Sequence, residues 1–317
     1  MEYINTFNTT AEYNAAKSGE AYGRPHVSLV LDNDEIHYEG DNRLVAKFNV
    51  TNTNNVKICE KTSGFSKIEI DGVEMSPIAS GYTFGTTGEH IVKYTLANET
   101  TIVQDAFRGC PMLTSIQIPN NVTTINHGAF SNCSGLTSIH IGANVSSMVG
   151  SIASSNSNIT SITVDNGNSV YDSRNNCNAI IETATNKLIQ GCPNTIIPND
   201  IVVIANDAFG DQGIETINIP EGVTTIEQEA FIGNNLTSLT IPSTVTSIGV
   251  MAFSYGMLTS ITCFAITPPT LSSNSFSNNN NLAHIYVPNE SVNIYKSQSS
   301  GGNWYDYRSI IEGLPVG

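Results

Sequence analysis

The sequence predicts a β-rich fold: a solenoid of short repeated strands behind a small N-terminal β-module. Three observations predict it. An apolar-x-x-apolar-x-apolar segment recurs along the last two thirds of the chain. An Ala-Phe pair recurs in phase with it. The composition is that of a neutral polar surface, with only 13% charged residues and 37 Asn among 317 residues. Charged residues usually make up about a quarter of a chain, so Asn, Ser and Thr must supply the solubility here.

Thirteen Lys and Arg against 28 Asp and Glu give a net charge of −15. Nucleic-acid binding needs clustered cations to neutralise phosphates, so that class is excluded, as is a polybasic membrane-surface protein. No apolar run approaches the ~18 residues of a membrane span. The opening Met-Glu-Tyr-Ile-Asn-Thr-Phe-Asn has neither a basic nor an apolar leader region, so no secretory signal is visible. Export by that route is then absent, or a leader has been replaced by a start Met.

Residues 1–40 stand apart. Thr9 to Lys17 is a short helix candidate, with Thr9 as N-cap and Glu12 three positions on. Val27–Leu31 and Glu35–Tyr38 alternate like strands. The Phe-Asn-Thr-Thr-Ala-Glu-Tyr opening resembles N-termini of structural proteins from phages of gut bacteria.

Residues 41–89 form a separate β-sandwich-like module. Arg43–Val50 alternates, Val56–Cys59 is a short strand, and Ser66–Met75 alternates on both sides of Asp71-Gly72, a strong hairpin signal. Gly81–Phe84 and His90–Leu96 complete the module. About 50 residues make a marginal core alone, so the module is expected to dock on the first repeat and cover an open end.

The repeats fill residues 90–317. The strands are Leu113-Thr-Ser-Ile-Gln-Ile-Pro119, Leu136-Thr-Ser-Ile-His-Ile-Gly142, Ile159-Thr-Ser-Ile-Thr-Val-Asp165, Ile214-Glu-Thr-Ile-Asn-Ile-Pro220, Leu236-Thr-Ser-Leu-Thr-Ile-Pro242, Leu258-Thr-Ser-Ile-Thr-Cys-Phe264 and Leu282-Ala-His-Ile-Tyr-Val-Pro288. Starts fall 23 apart early (113, 136, 159) and 22 apart later (214, 236, 258). Ala-Phe recurs at Phe107, Phe130, Phe209, Phe231 and Phe253, with Ser275-Phe276 as a degenerate copy. Between the two lies Val-Thr-x-Ile, as at Val122/Ile125, Val223/Ile226 and Val245/Ile248. Alternation points Leu113, Ile116 and Ile118 inward, Pro119 ends the strand, and Val122, Ile125, Ala129 and Phe130 return from the opposite side. One unit is too small to fold, whereas stacked units bury a continuous column.

The full pattern, Leu-Thr-Ser-Ile-x-Ile-Pro-x-x-Val-Thr-x-Ile-x-x-x-Ala-Phe-x-x-Cys, resembles the BspA-like leucine-rich repeats. The resemblance implies a curved right-handed leucine-rich repeat solenoid, α/β by the convention of that class, with a parallel sheet on its concave side. It also implies a bacterial surface or secreted protein that binds other proteins, and no enzymatic chemistry.

The pattern is stretched over 159–191. Ile197-Pro198 comes 79 residues after Ile118-Pro119, whereas three units of 23 would give 69. Ala179–Glu182 and Lys187–Gln190 read as a hairpin, and Ile152-Ala153 replaces an Ala-Phe. The extended unit is either an irregularity of the solenoid or a binding protrusion. Residues 289–317 read as a C-terminal cap, with a helix near Ser291 and aromatics, including Trp304, sealing the last repeat or forming a binding platform.

Chemistry-bearing motifs are sparse. The six His form no zincin pair and no nucleophile elbow or phosphate loop is present. Asp32-Asn-Asp34-Glu35 lacks the spacing of a Ca²⁺ loop and reads as a solvated turn. None of the six Cys forms a Cys-x-x-Cys pair. Cys110 and Cys133 share one repeat slot and fit a small-residue core ladder, although a disulfide between turns is conceivable. Cys177 and Cys192 flank the hairpin and could face each other. The Asn-x-Ser/Thr sequons arise from the repeat itself.

The candidate binding surface is the concave face, at Gln117, His140, Thr163, Asn218, Thr240, Thr262 and Tyr286, beside the Ser and Thr residues two positions earlier. Its hydroxyls and amides either bind a peptide or glycan or satisfy one another. The expectation is a non-enzymatic interaction or adhesion module that binds a protein or glycan, without cofactor, metal, nucleic acid or membrane insertion, and monomeric. Its place is extracellular or at the cell surface by resemblance. A phage structural protein, possible within a phage particle, and a carbohydrate-active or hydrolytic protein with its site in the insertion or N-terminal module are the alternatives.

Overall fold

A computed structural model describes residues 5–7, 28–32, 35–39, 42–298 and 304–315, the first three runs by their backbone alone. The helix expected over Thr9–Lys17 lies outside them. The two strands expected near the N-terminus are Ser28–Asp32 and Glu35–Glu39, paired antiparallel.

Most of the chain is a curved solenoid with two strand-bearing sides. On one side lie the longer Leu-Thr-Ser-Ile strands. Leu113–Gln117, Ser138–Ile141 and Ser161–Val164 pair in parallel, as do Ser238–Ile241, Ser260–Cys263 and His284–Val287. On the other side run the two-residue strands of the Val-Thr-x-Ile returns. Leu113, Ile116, Ile118, Val122, Ile125, Ala129 and Phe130 are all buried between them, as the alternation requires.

The Ala-Phe residues form the spine of this core. Phe107 stacks on Phe130 at 5.7 Å between ring centroids. Phe209, Phe231, Phe253 and Phe276 stack in a second column at 4.9, 5.1 and 5.7 Å. Each buried ring contributes roughly 1.5–3 kcal/mol from removal of its surface from water. Trp304 and Tyr307 close the second column against Phe276. Trp304 is buried and donates to the Pro269 carbonyl at 2.8 Å. Tyr295, on the short helix Val292–Lys296, donates to Ala265 O at 2.7 Å. Both large rings of the cap therefore pack inward.

Three residues beyond each Phe, and beyond Ala153 in the coil that lacks one, lies a second repeated slot, filled by Cys110, Cys133, Asn156, Gln212, Asn234, Gly256 and Asn279. The slot solves a hydrogen-bonding problem. The Phe carbonyl of the preceding coil is buried and needs a donor. Asn156 supplies it to Phe130 O, Asn234 to Phe209 O and Asn279 to Phe253 O, each at 2.8 Å. The Cys133 thiol lies 3.0 Å from Phe107 O and plays the same part. All six Cys are buried and free. Burial pushes the Cys59 and Cys133 thiols up to about 11.

The N-terminal module continues the solenoid's own sheet. Leu44–Val50 pairs antiparallel with Leu113–Gln117 and with Gly88–Leu96, giving a seven-stranded sheet that runs from the repeats into the module. Gly88–Leu96 lies in the middle of the module's strands and spans the expected 89/90 boundary. Tyr94 and Phe65 pack on Phe107, so module and first coils share one hydrophobic core. Asp71 and Gly72 both have positive φ, 48° and 85°, the geometry of a type I′ hairpin turn.

The extended unit is built into the wall of the solenoid. Ile180–Glu182 pairs antiparallel with Lys187–Gln190, which then pairs in parallel with Val203–Ile204 at the head of the second return ladder. Ile180, Ile181 and Leu188 are fully buried. Outside, Arg174 grips Asp172 through two nitrogens, at 2.8 and 2.6 Å, and reaches Asn186 and Asp200. Burial opposes ionisation of Asp172, but its bonds from Arg174 and Thr183 outweigh it and hold the carboxyl below its usual range.

Candidate binding face

The strand pairings place six of the seven expected face residues in two rows. Gln117, His140 and Thr163 are direct register partners across three strands. Thr240, Thr262 and Tyr286 form the second row, which Glu312 on Ile311–Gly313 extends. Neighbours within a row are about 4.8 Å apart, the strand spacing. Asn218 is exposed but sits in no ladder.

The side chains in these rows are partly engaged with each other. His140 Nδ1 lies 2.9 Å from Thr163 Oγ1. His284 Nδ1 lies 3.1 Å from Glu312 Oε1 and its ring stacks on Tyr286 at 5.7 Å. The amide oxygen of Gln117 is buried without a hydrogen-bond partner. Buried acceptors are normally satisfied, so Gln117 is an exception in this row.

In three of the Thr-Ser pairs the Thr has another task. Thr137, Thr160 and Thr259 donate their hydroxyls to the carbonyls of Thr114, Thr137 and Thr237 in the coil before. Thr224 and Thr246 do the same on the return side. These hydroxyls stitch coil to coil.

The face also changes character toward the N-terminus, which the sequence did not signal. The outward row through Gln117 continues to Val45, Lys93, Glu69 and Glu74. Arg43 bonds Glu69 at 3.0 Å and Lys67 bonds Glu74 at 2.9 Å. An uncharged face on the coils thus joins a charged grid on the module. Only the pairing of Leu44–Val50 with the first coil reveals this, because sequence separation hides it.

The two rows are separated by an interruption. The strand expected at Ile214–Pro220 forms no ladder, although Ile214 and Ile219 are buried as expected. It pairs neither with Ser238–Ile241 in the next coil nor with the coil before, where no strand is available. The extended unit leaves only residues 194–197 between Pro193 and Pro198, and proline cannot donate to a ladder. Ile196 N bonds back to Cys177 O, and Ile214 O accepts forward from Asn235 N. The two runs are thus tied to opposite neighbours. A groove of about 440 Å³ opens between them, lined by Pro193–Ile197 and Thr216–Asn218. Ile196 projects from it, 75% exposed.

Among the described residues no cluster of three His, Cys, Asp or Glu could hold a metal ion, and no helix is long and apolar enough to cross a membrane.

Comparison with known proteins bears on the repeats directly. The family model for the BspA type leucine-rich repeat region matches residues 100–189 and 180–300, in six copies. No curated protein sequence matches the chain. A leucine-rich cell surface protein from Faecalibacterium prausnitzii superposes with a TM-score of 0.52 at 23% identity, covering 68% of this chain and 58% of that one. A leucine-rich repeat protein from Eubacterium ventriosum gives 0.44 at 21% identity, over 60% and 64% of the two chains. The pneumococcal vaccine antigen PcpA gives 0.46 at 20% identity, over 61% and 56%. The chain spans under two thirds of the length of each of these structures. No counterpart of the phage resemblance of residues 1–40 is among them. The repeated strand, return and Ala-Phe slot, matched over more than half the chain, place this protein in the family of BspA-type leucine-rich repeat proteins.

Proposed function

We propose that the chain is a non-enzymatic interaction module, presenting its long-strand face to a protein or glycan at a cell surface. The observation that carries this reading is the register of the two outward rows, Gln117/His140/Thr163 and Thr240/Thr262/Tyr286. A rigid, laddered face of uncharged donors and acceptors can follow an extended ligand over several coils. It forms one surface with the charged grid of Arg43, Lys67 and Lys93 on the module, which adds a polar rim of the kind interfaces use. An extracellular or surface location is part of the proposal, supported by the surface-protein designation of the Faecalibacterium prausnitzii structure.

The test is the binding of labelled full-length chain to arrays of glycans and of host and bacterial surface proteins. Saturable binding to a defined member is the expected result. Hydrolysis of an array member by the chain would contradict the non-enzymatic reading, and an absence of saturable binding would contradict the interaction reading.

A further inference from the structure

The interrupted ladder at the middle of the long-strand face is a second feature of that face. The long strands on either side of the interruption pair on one edge only, Ser161–Val164 with Ser138–Ile141 and Ser238–Ile241 with Ser260–Cys263. Between 194–197 and 215–219 no main-chain hydrogen bond joins the two runs among the described residues. Ile214 O accepts from Asn235 N and Ile196 N donates to Cys177 O, so each run is tied at one point to its far neighbour and is open toward the other. Both keep the repeat's alternation: Ile197, Ile214 and Ile219 are buried, while Ile196, Thr216 and Asn218 face outward.

An unpaired run of N–H and C=O groups is a template for another strand. The geometry points to strand addition: the groove between Pro193–Ile197 and Thr216–Asn218 binds an extended, uncharged peptide, whose backbone pairs with the open edge of residues 215–219. The inference rests on the proposal that this face binds partners, and it names the class of one partner.

The groove's chemistry selects that occupant. Its lining is Pro, Asn, Thr and Ile, with no charged group, in a chain that carries −15 overall. A charged side chain entering would be desolvated without a counter-ion. No aromatic ring lines the groove to stack on a sugar, whereas alternating main-chain donors and acceptors match a peptide backbone, the basis of strand addition in general. Residues 216–219 span about 13 Å, enough for a four-residue strand. Ile196 and Ile217 supply apolar contacts for alternate side chains of the guest.

The repeat's own strand has the required pattern, so the probe is the capped, fluorescently labelled heptapeptide Leu-Thr-Ser-Leu-Thr-Ile-Pro, the sequence of residues 236–242. It is titrated into the full chain by fluorescence anisotropy. The inference expects saturable binding, weakened at least tenfold by N-methylation of the guest amides on one edge, with the protein left unaltered. It also expects slowed amide exchange at Glu215–Ile219 on binding. Ile196→Asp, an exposed position where folding is not at stake, should weaken binding at least fivefold. No binding, or equal binding of the N-methylated peptide, would overturn it. So would sedimentation showing that the chain alone forms a dimer with residues 215–219 protected, because a second copy would then be the occupant. Array binding with no peptide binding would sink this inference while leaving the proposed function standing.

Discussion

The side chain of Gln190 accepts a hydrogen bond from Ser151 Oγ at 2.8 Å, across 39 residues of sequence. The same oxygen also accepts from the amides of Ile152 and Ala153, both at 3.1 Å. Its nitrogen donates to Gly191 O and Ala208 O. Ile152-Ala153 is the coil that lacks its Phe. In ordinary coils a Phe amide donates to the carbonyl of the Ala that precedes the Phe of the next coil, as Phe107 does to Ala129 and Phe231 to Ala252. At the extended unit that carbonyl is out of place, and the buried Gln190 side chain replaces it. Gln190→Leu would leave three buried donors unsatisfied, each costing about 1–3 kcal/mol. The expected loss is about 3 kcal/mol or more in urea unfolding, with amide exchange at Ile152 and Ala153 accelerated beyond that at Phe231.

Gly191 completes the junction. It occupies the Phe slot of the extended coil, and its amide donates to Ala208 O at 2.8 Å. A Cβ at Gly191 would lie 2.0 Å from the Phe209 ring, so the ring of the next coil fills the space of the missing one. Gly191→Ala should cost about 1–3 kcal/mol by overpacking. In a Phe209→Leu background the same substitution should cost at least 1 kcal/mol less, a coupling that a double-mutant cycle reads directly. Equal costs in both backgrounds would show that the ring is not the constraint.

The Asn slot predicts a second coupling. Asn279 Oδ1 accepts from Leu258 N at 3.0 Å, and a Cβ at Gly256 would approach that oxygen to 2.7 Å. Gly256→Ala should destabilise by about 1–3 kcal/mol. Asn234→Leu, at a slot where the amide bonds Ile214 N, Phe209 O and Phe231 O, should cost about 2–4 kcal/mol through its stranded partners. Thermal unfolding of each variant checks both values.

Acidity acts at the same junction. Burial pushes the Asp207 carboxyl up to about 6; Ser154 and His127 oppose that, and Glu229 and Asp211 add to it. An unfolded Asp titrates near 3.9. The folded state therefore binds the proton more tightly, and this contribution is fully present below about pH 4 and lost as pH rises through about 6. Between pH 5 and pH 7.5 the native chain should lose about 1–2 kcal/mol relative to Asp207→Asn, less than the full shift because the group is partly exposed. Urea midpoints of the two proteins at both pH values measure the difference. A constant gap would contradict the assignment.

The sequence made the periodic part of this architecture readable, because each coil repeats the same demand for a buried column. Leu113, Ile116, Phe130 and the Asp71-Gly72 turn could be placed by spacing and turn chemistry alone. The hairpin at Ile180–Gln190 was visible for the same reason. Its consequence was not. Gln190-Gly191 carries no resemblance to Ala-Phe, so its position in the Phe slot emerges only from the hydrogen bonds to coils 37 to 39 residues earlier. The failure of Ile214–Pro220 to ladder was hidden likewise: two prolines leave no strand beside it in the preceding coil, and nothing in the spacing shows that it also stays unpaired with Ser238–Ile241. On the face, spacing placed Gln117, His140, Thr163, Thr240, Thr262 and Tyr286 in outward rows but could not separate hydroxyls that stitch coils from those that do not. Nor could it join Lys93 to the same surface.

That the uncharged rows of the long-strand face carry recognition is the proposal on which the others depend. It is tested most directly by affinity for the array-identified partner, comparing Thr240→Glu/Thr262→Glu with Asn166→Glu, an exposed position away from both rows. The expected result is a loss of at least tenfold for the face pair, unchanged affinity for Asn166→Glu, and unaltered thermal unfolding for both. Equal affinity of all three proteins would place recognition elsewhere on the solenoid and contradict it.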